Sequence, residues 1–175
     1  MCYNRPMKRH LIGIGGVGMS ALAVALAKLG DEISGSDRSL RDKTASERGN
    51  FPMLAKNGIT CFPDDGSGIT DGIDEVIVSS AIEEDNEALV KAKSLRIPVI
   101  HRAKALARAL AGRKLVAVAG TCGKSTVTAM LGHILSECGF DPFCVNGANV
   151  PGWIGAVRPG NGMFAVAEVD ESEHS

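Results

Sequence analysis

A chain of 175 residues is long enough for one large domain or two small ones. Its composition is 45% hydrophobic, with 21 glycines and only 4% aromatics, which suits an α/β protein with many tight turns and a core of Ala, Val, Leu and Ile. A net charge of −1 argues against a nucleic-acid footprint or a polybasic membrane patch, and no apolar run approaches the ~20 residues that span a bilayer.

The basic start Met1–Arg9 is not followed by a long apolar stretch with a cleavage site, so it does not read as a signal peptide. His10 to Ile14 reads as a buried strand. The helix after it carries Val17, Ala21, Leu22, Val24, Ala25 and Leu29 and stops at Gly30. Glu32 to Ser36 forms a second strand ending at Asp37. Thr44-x-x-Glu47 has the form of a capping box and predicts a helix of roughly ten residues. Ile59 to Phe62 and Glu75 to Ser80 read as strands, Asn86 to Leu95 as a helix, Pro98 to Ile100 as a short strand, and Arg102 to Leu110 as an Ala/Leu helix. Strands alternating with helices predict a parallel sheet with right-handed crossovers. Ala111-Gly112-Arg113 marks a boundary, dividing the chain into residues 1–111 and 112–175. Beyond it come a strand at Leu115–Val118, an amphipathic stretch from Val127 to Cys138, a strand at Phe143–Val145, a turn at Pro159–Gly162, and a strand from Met163 to Val169.

The first glycine loop, Gly13-x-Gly15-x-x-Gly18, follows a strand and opens a helix. Asp37 lies nineteen residues beyond Gly18, at the end of the next strand. This is the dinucleotide fingerprint, with an acidic residue placed for a ribose hydroxyl. The geometry recognises a pyrophosphate, so a nicotinamide, a flavin or another diphosphate-bearing ligand all fit. A glycine turn with no ligand is the plain structural alternative.

The second loop reads Ala119-Gly120-Thr121-Cys122-Gly123-Lys124-Ser125-Thr126. Strand, glycine loop with Lys and Ser, then helix is the layout that cradles nucleotide triphosphates, with backbone N–H groups facing the anion. Lys124 is placed to reach the phosphates and Ser125 to ligate Mg²⁺. A standard Walker A has Gly where this chain has Val118. Cys122 reads as a small loop side chain, and the remaining cysteines as core fillers. The five cysteines are odd in number and lack CxxC spacing, which fits reduced thiols in the cytoplasm. An acidic run, Glu168-Val169-Asp170-Glu171-Ser172-Glu173, ends the last strand. Carboxylates there are placed to hold Mg²⁺ beside a phosphate loop, or form a solvated turn. The four histidines show no metal spacing, and His101 alone falls near a candidate pocket.

Five segments occur in a telling order: His10-Leu11-Ile12-Gly13-Ile14-Gly15-Gly16-Val17-Gly18-Met19-Ser20, Ile33-Ser34-Gly35-Ser36-Asp37, Val78-Ser79-Ser80-Ala81-Ile82 followed by Asn86, Gly120-Thr121-Cys122-Gly123-Lys124-Ser125, and Ala167-Glu168-Val169-Asp170-Glu171-Ser172. With them the chain resembles the Mur ligases, most closely the members that join L-alanine to UDP-N-acetylmuramate. The resemblance implies a Rossmann-like parallel-sheet domain over 1–111 for the UDP-sugar, followed by the first part of a P-loop ATPase domain over 112–175. It implies that Gly15, Gly16, Val17 and Gly18 lie against the pyrophosphate, and that Asp37 with Ser79, Ser80, Ala81 and Ile82 frames the UDP group. It implies that Gly120, Thr121, Cys122, Gly123, Lys124, Ser125 and Thr126 hold ATP, that Ser125 and Glu168 hold Mg²⁺, and that Lys124 and Glu168 are catalytic. The implied chemistry activates the muramate carboxylate as an acyl phosphate, which the L-alanine amine attacks. Cys122 and Ser125 stand where alanine-adding members commonly carry His and Thr. A tripeptide-adding, muropeptide-recycling ligase is the near alternative. A nicotinamide-dependent oxidoreductase and a non-catalytic UDP-sugar-binding module are alternatives from other classes. Roughly 60 residues after Lys114 are too few to close a nucleotide-triphosphatase core, so the chain is expected to be a piece of a longer ligase, without its C-terminal domain and inactive alone.

Overall fold

The computed structural model describes residues 5–42 and 44–169. Five strands form the first sheet: β1 Lys8–Ile12, β2 Glu32–Asp37, β3 Thr60–Pro63, β4 Glu75–Val78 and β5 Val99–His101. They lie side by side in the order β3-β2-β1-β4-β5 and all run parallel. Parallel strands linked by helices are covered on both faces, so their middles are apolar throughout. Leu11, Ile12, Val76 and Ile77 accordingly have no solvent exposure. The strands alternate with α1 Val17–Lys28, α2 Phe51–Lys56, α3 Glu87–Ser94 and α4 Arg102–Ala109.

Helix α1 is buried continuously from Met19 to Leu26. A helix apolar all round must be covered all round. Here the cover comes from two sides, because α1 contacts β2 and α4 of the first layer and also β7 and β8 of the second sheet. One hydrophobic core therefore runs through both sheets, from Leu11 and Leu22 to Val145, Val157 and Ala167.

The second sheet contains β6 Lys114–Val118, β7 Phe143–Val145, β8 Val157–Arg158 and β9 Phe164–Glu168, in the order β6-β9-β7-β8. β6, β9 and β7 are parallel, and β8 runs antiparallel to β7. Helix α5 Lys124–Glu137 joins β6 to β7. It carries Lys124 itself and the amphipathic stretch from Val127 to Glu137, with Cys138 capping its end.

Three expectations are corrected. Thr44 does not cap a ten-residue helix: its N–H and its hydroxyl both go to the Asp42 carboxylate, at 2.9 and 3.0 Å. Those two bonds hold the Asp42 carboxyl below its usual range, and they leave a short 3₁₀ turn at Ala45–Glu47. The α-helix begins later, at Phe51, with Pro52 in its first turn. The short strand β8 has no counterpart in the sequence reading. Cys138 is exposed and so is not a core filler, whereas Cys144 is buried and Cys61 half-buried. Burial pushes both of those thiols up to about 11, with the Asp37 charge adding to the rise at Cys61. Cys2, the acidic residues from Asp170 to Glu173, and His174 lie outside the described residues.

Candidate functional site

Both glycine loops open at the C-terminal ends of parallel strands, where α/β folds bind ligands. The first turns at Gly13, whose φ of 77° favours glycine. The N–H groups of Gly13 and Ile14 both donate to Ser36 O, at 2.8 and 3.0 Å. Gly15 N–H donates to Asp37 Oδ2 at 2.8 Å, and the Asn50 amide donates to Gly15 O at 2.9 Å. A side chain at Gly15 would meet both Asp37 and Phe51. Gly16 caps α1 from an extended conformation, so the amides of the first turn, from Val17 and Gly18 onward, are those that helix geometry leaves for an anion.

Asp37 is thus turned toward its own loop. Its second oxygen, Oδ1, accepts from Ser39 N–H and Oγ–H at 3.0 and 2.7 Å. After β4, Ile82 N–H closes a turn onto Ser79 O at 3.1 Å, and the Ile82 side chain comes up to Gly13. Ser80 Oγ lies 3.3 Å from His101 Nε2, while His101 Nδ1 accepts the Ala103 N–H of α4. That acceptance leaves the proton on Nε2, so His101 donates to Ser80. The segments 13–18, 37 and 79–82 are therefore gathered at one end of the first sheet.

Three residues here were not singled out in the sequence. Asn50 holds the Gly15 carbonyl. The Arg102 guanidinium lies against Gly18, in the space a side chain there would take. Asp64 is 5% exposed, and accepts from Ser36 Oγ at 3.1 Å and from Asn86 Nδ2 at 2.5 Å. Its signal was available: Asp64 follows the end of β3 much as Asp37 ends β2. Asn86 also caps α3 through Leu89 N–H.

The second loop spans 119–123, between β6 and α5. Gly123 caps α5 in the left-handed conformation, with φ 76°. Lys124 Nζ donates back to Gly120 O at 2.9 Å. Ser125 Oγ donates to Glu168 Oε2 at 2.7 Å, and Gly147 N–H donates to the same oxygen at 2.9 Å. Residues 43 apart in sequence are brought together because β6 and β9 pair in parallel, with Val118 opposite Glu168. Thr121 and Cys122 are exposed beside them, and Thr126 follows on the exposed side of α5.

A cavity of about 140 Å³ lies between the end of the first loop at Gly18 and the end of β9 at Glu168. Gly18 and Arg102 line it from the first layer, and Asn146, Gly147 and Glu168 from the second, with an apolar wall that includes Leu106 and Val145. The Asn146 side chain is buried, and its Oδ1 has no partner among the described residues. Those residues gather no group of three or more His, Cys, Asp or Glu. No helix among them is long and apolar enough to cross a membrane.

The family model described as Mur ligase family, catalytic domain, matches residues 8–114. The chain belongs to the Mur ligase family. Among curated Mur ligases it is 43% identical to the UDP-N-acetylmuramate–L-alanine ligase of Xanthomonas campestris, over 95% of this chain and 33% of that protein. It is 39% identical to the enzyme of the same name from Azorhizobium caulinodans, over 94% of this chain and 34% of that one. The crystal structure of the UDP-N-acetylmuramate-alanine ligase MurC of Thermotoga maritima superposes with a TM-score of 0.85 at 34% identity, covering 95% of this chain and 38% of that one. This Mur ligase chain thus spans about a third of the length of the curated relatives it matches.

Proposed function

We propose that this chain supplies the nucleotide-handling part of an ATP-dependent ligase that joins L-alanine to UDP-N-acetylmuramate, in the cytoplasm, for peptidoglycan precursor synthesis. Residues 1–111 would form the UDP-sugar domain, and residues 112–175 would begin the ATP domain. The observation that carries the reading is the single cavity lined by both Gly18 and Glu168. The last glycine of the proposed diphosphate loop and the carboxylate that contacts Ser125 of the proposed triphosphate loop then face one space, which supports a phosphoryl transfer between ligands of the two loops. The similarity to alanine ligases at about 40% identity supports the choice of substrates.

The residues present fit Mg²⁺ and ATP. Sites of this kind hold Mg²⁺ with one or two protein oxygens and complete its shell with phosphates and water. Ser125 Oγ and Glu168, in contact at the loop's edge, provide that pair. When bound, Mg·ATP supplies the phosphoryl group that makes the muramate carboxylate an acyl phosphate. Lys124, released from Gly120 O, would offset charge on the phosphates. The amides of Gly120, Thr121, Cys122, Gly123 and Thr126 would line the triphosphate. Gly15, Gly16, Val17 and Gly18 would hold the UDP diphosphate, with Ser79, Ser80, Ala81 and Ile82 beside it. Asp37 speaks against a nicotinamide cofactor: both of its oxygens already hold the chain's own loops, leaving it poorly placed for an adenosine ribose.

Calorimetric titration with UDP-N-acetylmuramate, Mg·ATP and NADH tests the reading. The expected result is binding of the first two and none of the third. Lys124→Ala should abolish ATP binding and leave the UDP-sugar affinity at the wild-type level. Binding of NADH alone would overturn the proposal.

A further inference from the structure

Gly147 stands just beyond β7, where the chain leaves the sheet beside the end of β9. Its φ lies outside the left-handed region, so its backbone would accept any residue. Space is what matters: a Cβ there would fall 2.5 Å from both carboxylate oxygens of Glu168, so a side chain at this position would push the carboxylate from its place. The backbone cannot easily move aside. The preceding Asn146 is 4% exposed, donates its N–H to Ala156 O at 2.9 Å, and donates its side-chain amide to Ala148 O at 3.1 Å.

Gly147 N–H and Ser125 Oγ donate to the same oxygen, Oε2. Among the described residues, no hydrogen bond reaches Oε1. Two donors on one oxygen, plus a backbone packed against the carboxyl group, fix the rotation of the side chain. We propose that Gly147 is a positioning residue for the cation site: by approaching without a side chain and donating its amide, it holds Glu168 by Oε2 and presents Oε1 to a divalent cation on the nucleotide phosphates. The proposal rests on Glu168 being a Mg²⁺ ligand, as read above. Partners that orient a metal-binding carboxylate typically change metal affinity by about 10–100-fold when lost.

The test uses the whole chain as wild type, Gly147→Ala, Glu168→Ala and the double variant. The first readout is the Mg²⁺ concentration giving half-maximal ATP binding, alongside ATP affinity without Mg²⁺. Gly147→Ala should raise that concentration about tenfold or more, toward the Glu168→Ala value, with Mg²⁺-free affinity unchanged. The second readout is the thermal unfolding midpoint. Gly147→Ala should lower it clearly when Glu168 is present, and by less than half as much in the Glu168→Ala background, because the clash is with that carboxylate. An unchanged Mg²⁺ dependence, or an equal loss of midpoint in both backgrounds, overturns the proposal. A wild-type chain with no Mg²⁺-dependent ATP binding would sink the ligase reading and the cation role together. The unfolding cycle would still decide, independently, whether Gly147 places the carboxylate.

Discussion

In the first sheet the strand that feeds the glycine loop carries Leu11 and Ile12 with no exposure. In the second, the corresponding strand carries Leu115 and Val116 at 48% and 37% exposure. The helices differ in the same way. α1 is buried from Met19 to Leu26, whereas α5 presents Val127, Met130 and Ile134 to solvent. The bracing of the loops follows suit. The first is tied by Ser36, Asp37 and Asn50 from two other segments, while the second leans on its own Lys124 and, across the sheet, on Glu168. Two loops of one layout are therefore held by different means: the first between a fully buried strand and a buried helix, the second between a half-exposed strand and helix with a few polar contacts at the site itself. Stability should reside mostly in the first sheet, and ligand sensitivity in the second.

The sharpest way to break that contrast is a pair of substitutions followed by urea unfolding. Leu11→Ala removes a fully buried side chain and should cost about 2–5 kcal/mol. Met130→Lys, on the exposed face of α5, should change stability by no more than about 0.5 kcal/mol. Equal costs would mean that the second sheet is as tightly built as the first.

A second test uses pH. His10 is fully buried in β1, its Nδ1 is 2.9 Å from Ser34 Oγ, and its Nε2 is unpartnered among the described residues. Burial lowers its pKa from 6.5 to about 4. The unfolded chain therefore takes up a proton below about pH 6.5 that the folded chain refuses until about pH 4. Stability contributed by neutral His10 is complete above pH 6.5 and is lost as pH falls toward 4, by up to about 3 kcal/mol. Unfolding curves at pH 7 and pH 4.5 should show this loss, and His10→Gln should flatten it. An unchanged slope in His10→Gln would show that other groups carry the acid sensitivity.

The smallest expected effect is on the first loop's brace. Asp37→Ala frees the Gly15 amide and Ser39, and should cost about 1–2 kcal/mol of stability. It should also weaken UDP-N-acetylmuramate in calorimetry while leaving Mg·ATP binding unchanged. Loss of both ligands would mean that the loops are coupled through the core around α1 more strongly than their separate bracing suggests.

The alternation of strands and helices, both glycine loops and the pairing of Lys124 with Ser125 were legible in the sequence by itself, because period, glycine spacing and apolar runs are local properties. The strand ends and the helix starts were displaced by a few residues, and at Thr44 a local rule failed because Asp42, only two residues away, captured the same hydroxyl. Tertiary structure alone decided what meets what. It turned Asp37 inward onto Gly15, set Asp64 against Ser36 and Asn86, laid Arg102 across Gly18, and brought Ser125, Gly147 and Glu168 onto one carboxylate oxygen. It also explains why α1 has no polar face, which in sequence looks like an ordinary buried helix and in space is the wall shared by two sheets. The physical reason is that strand order and register join segments far apart in the chain, and no spacing within either segment records which partner the other will present.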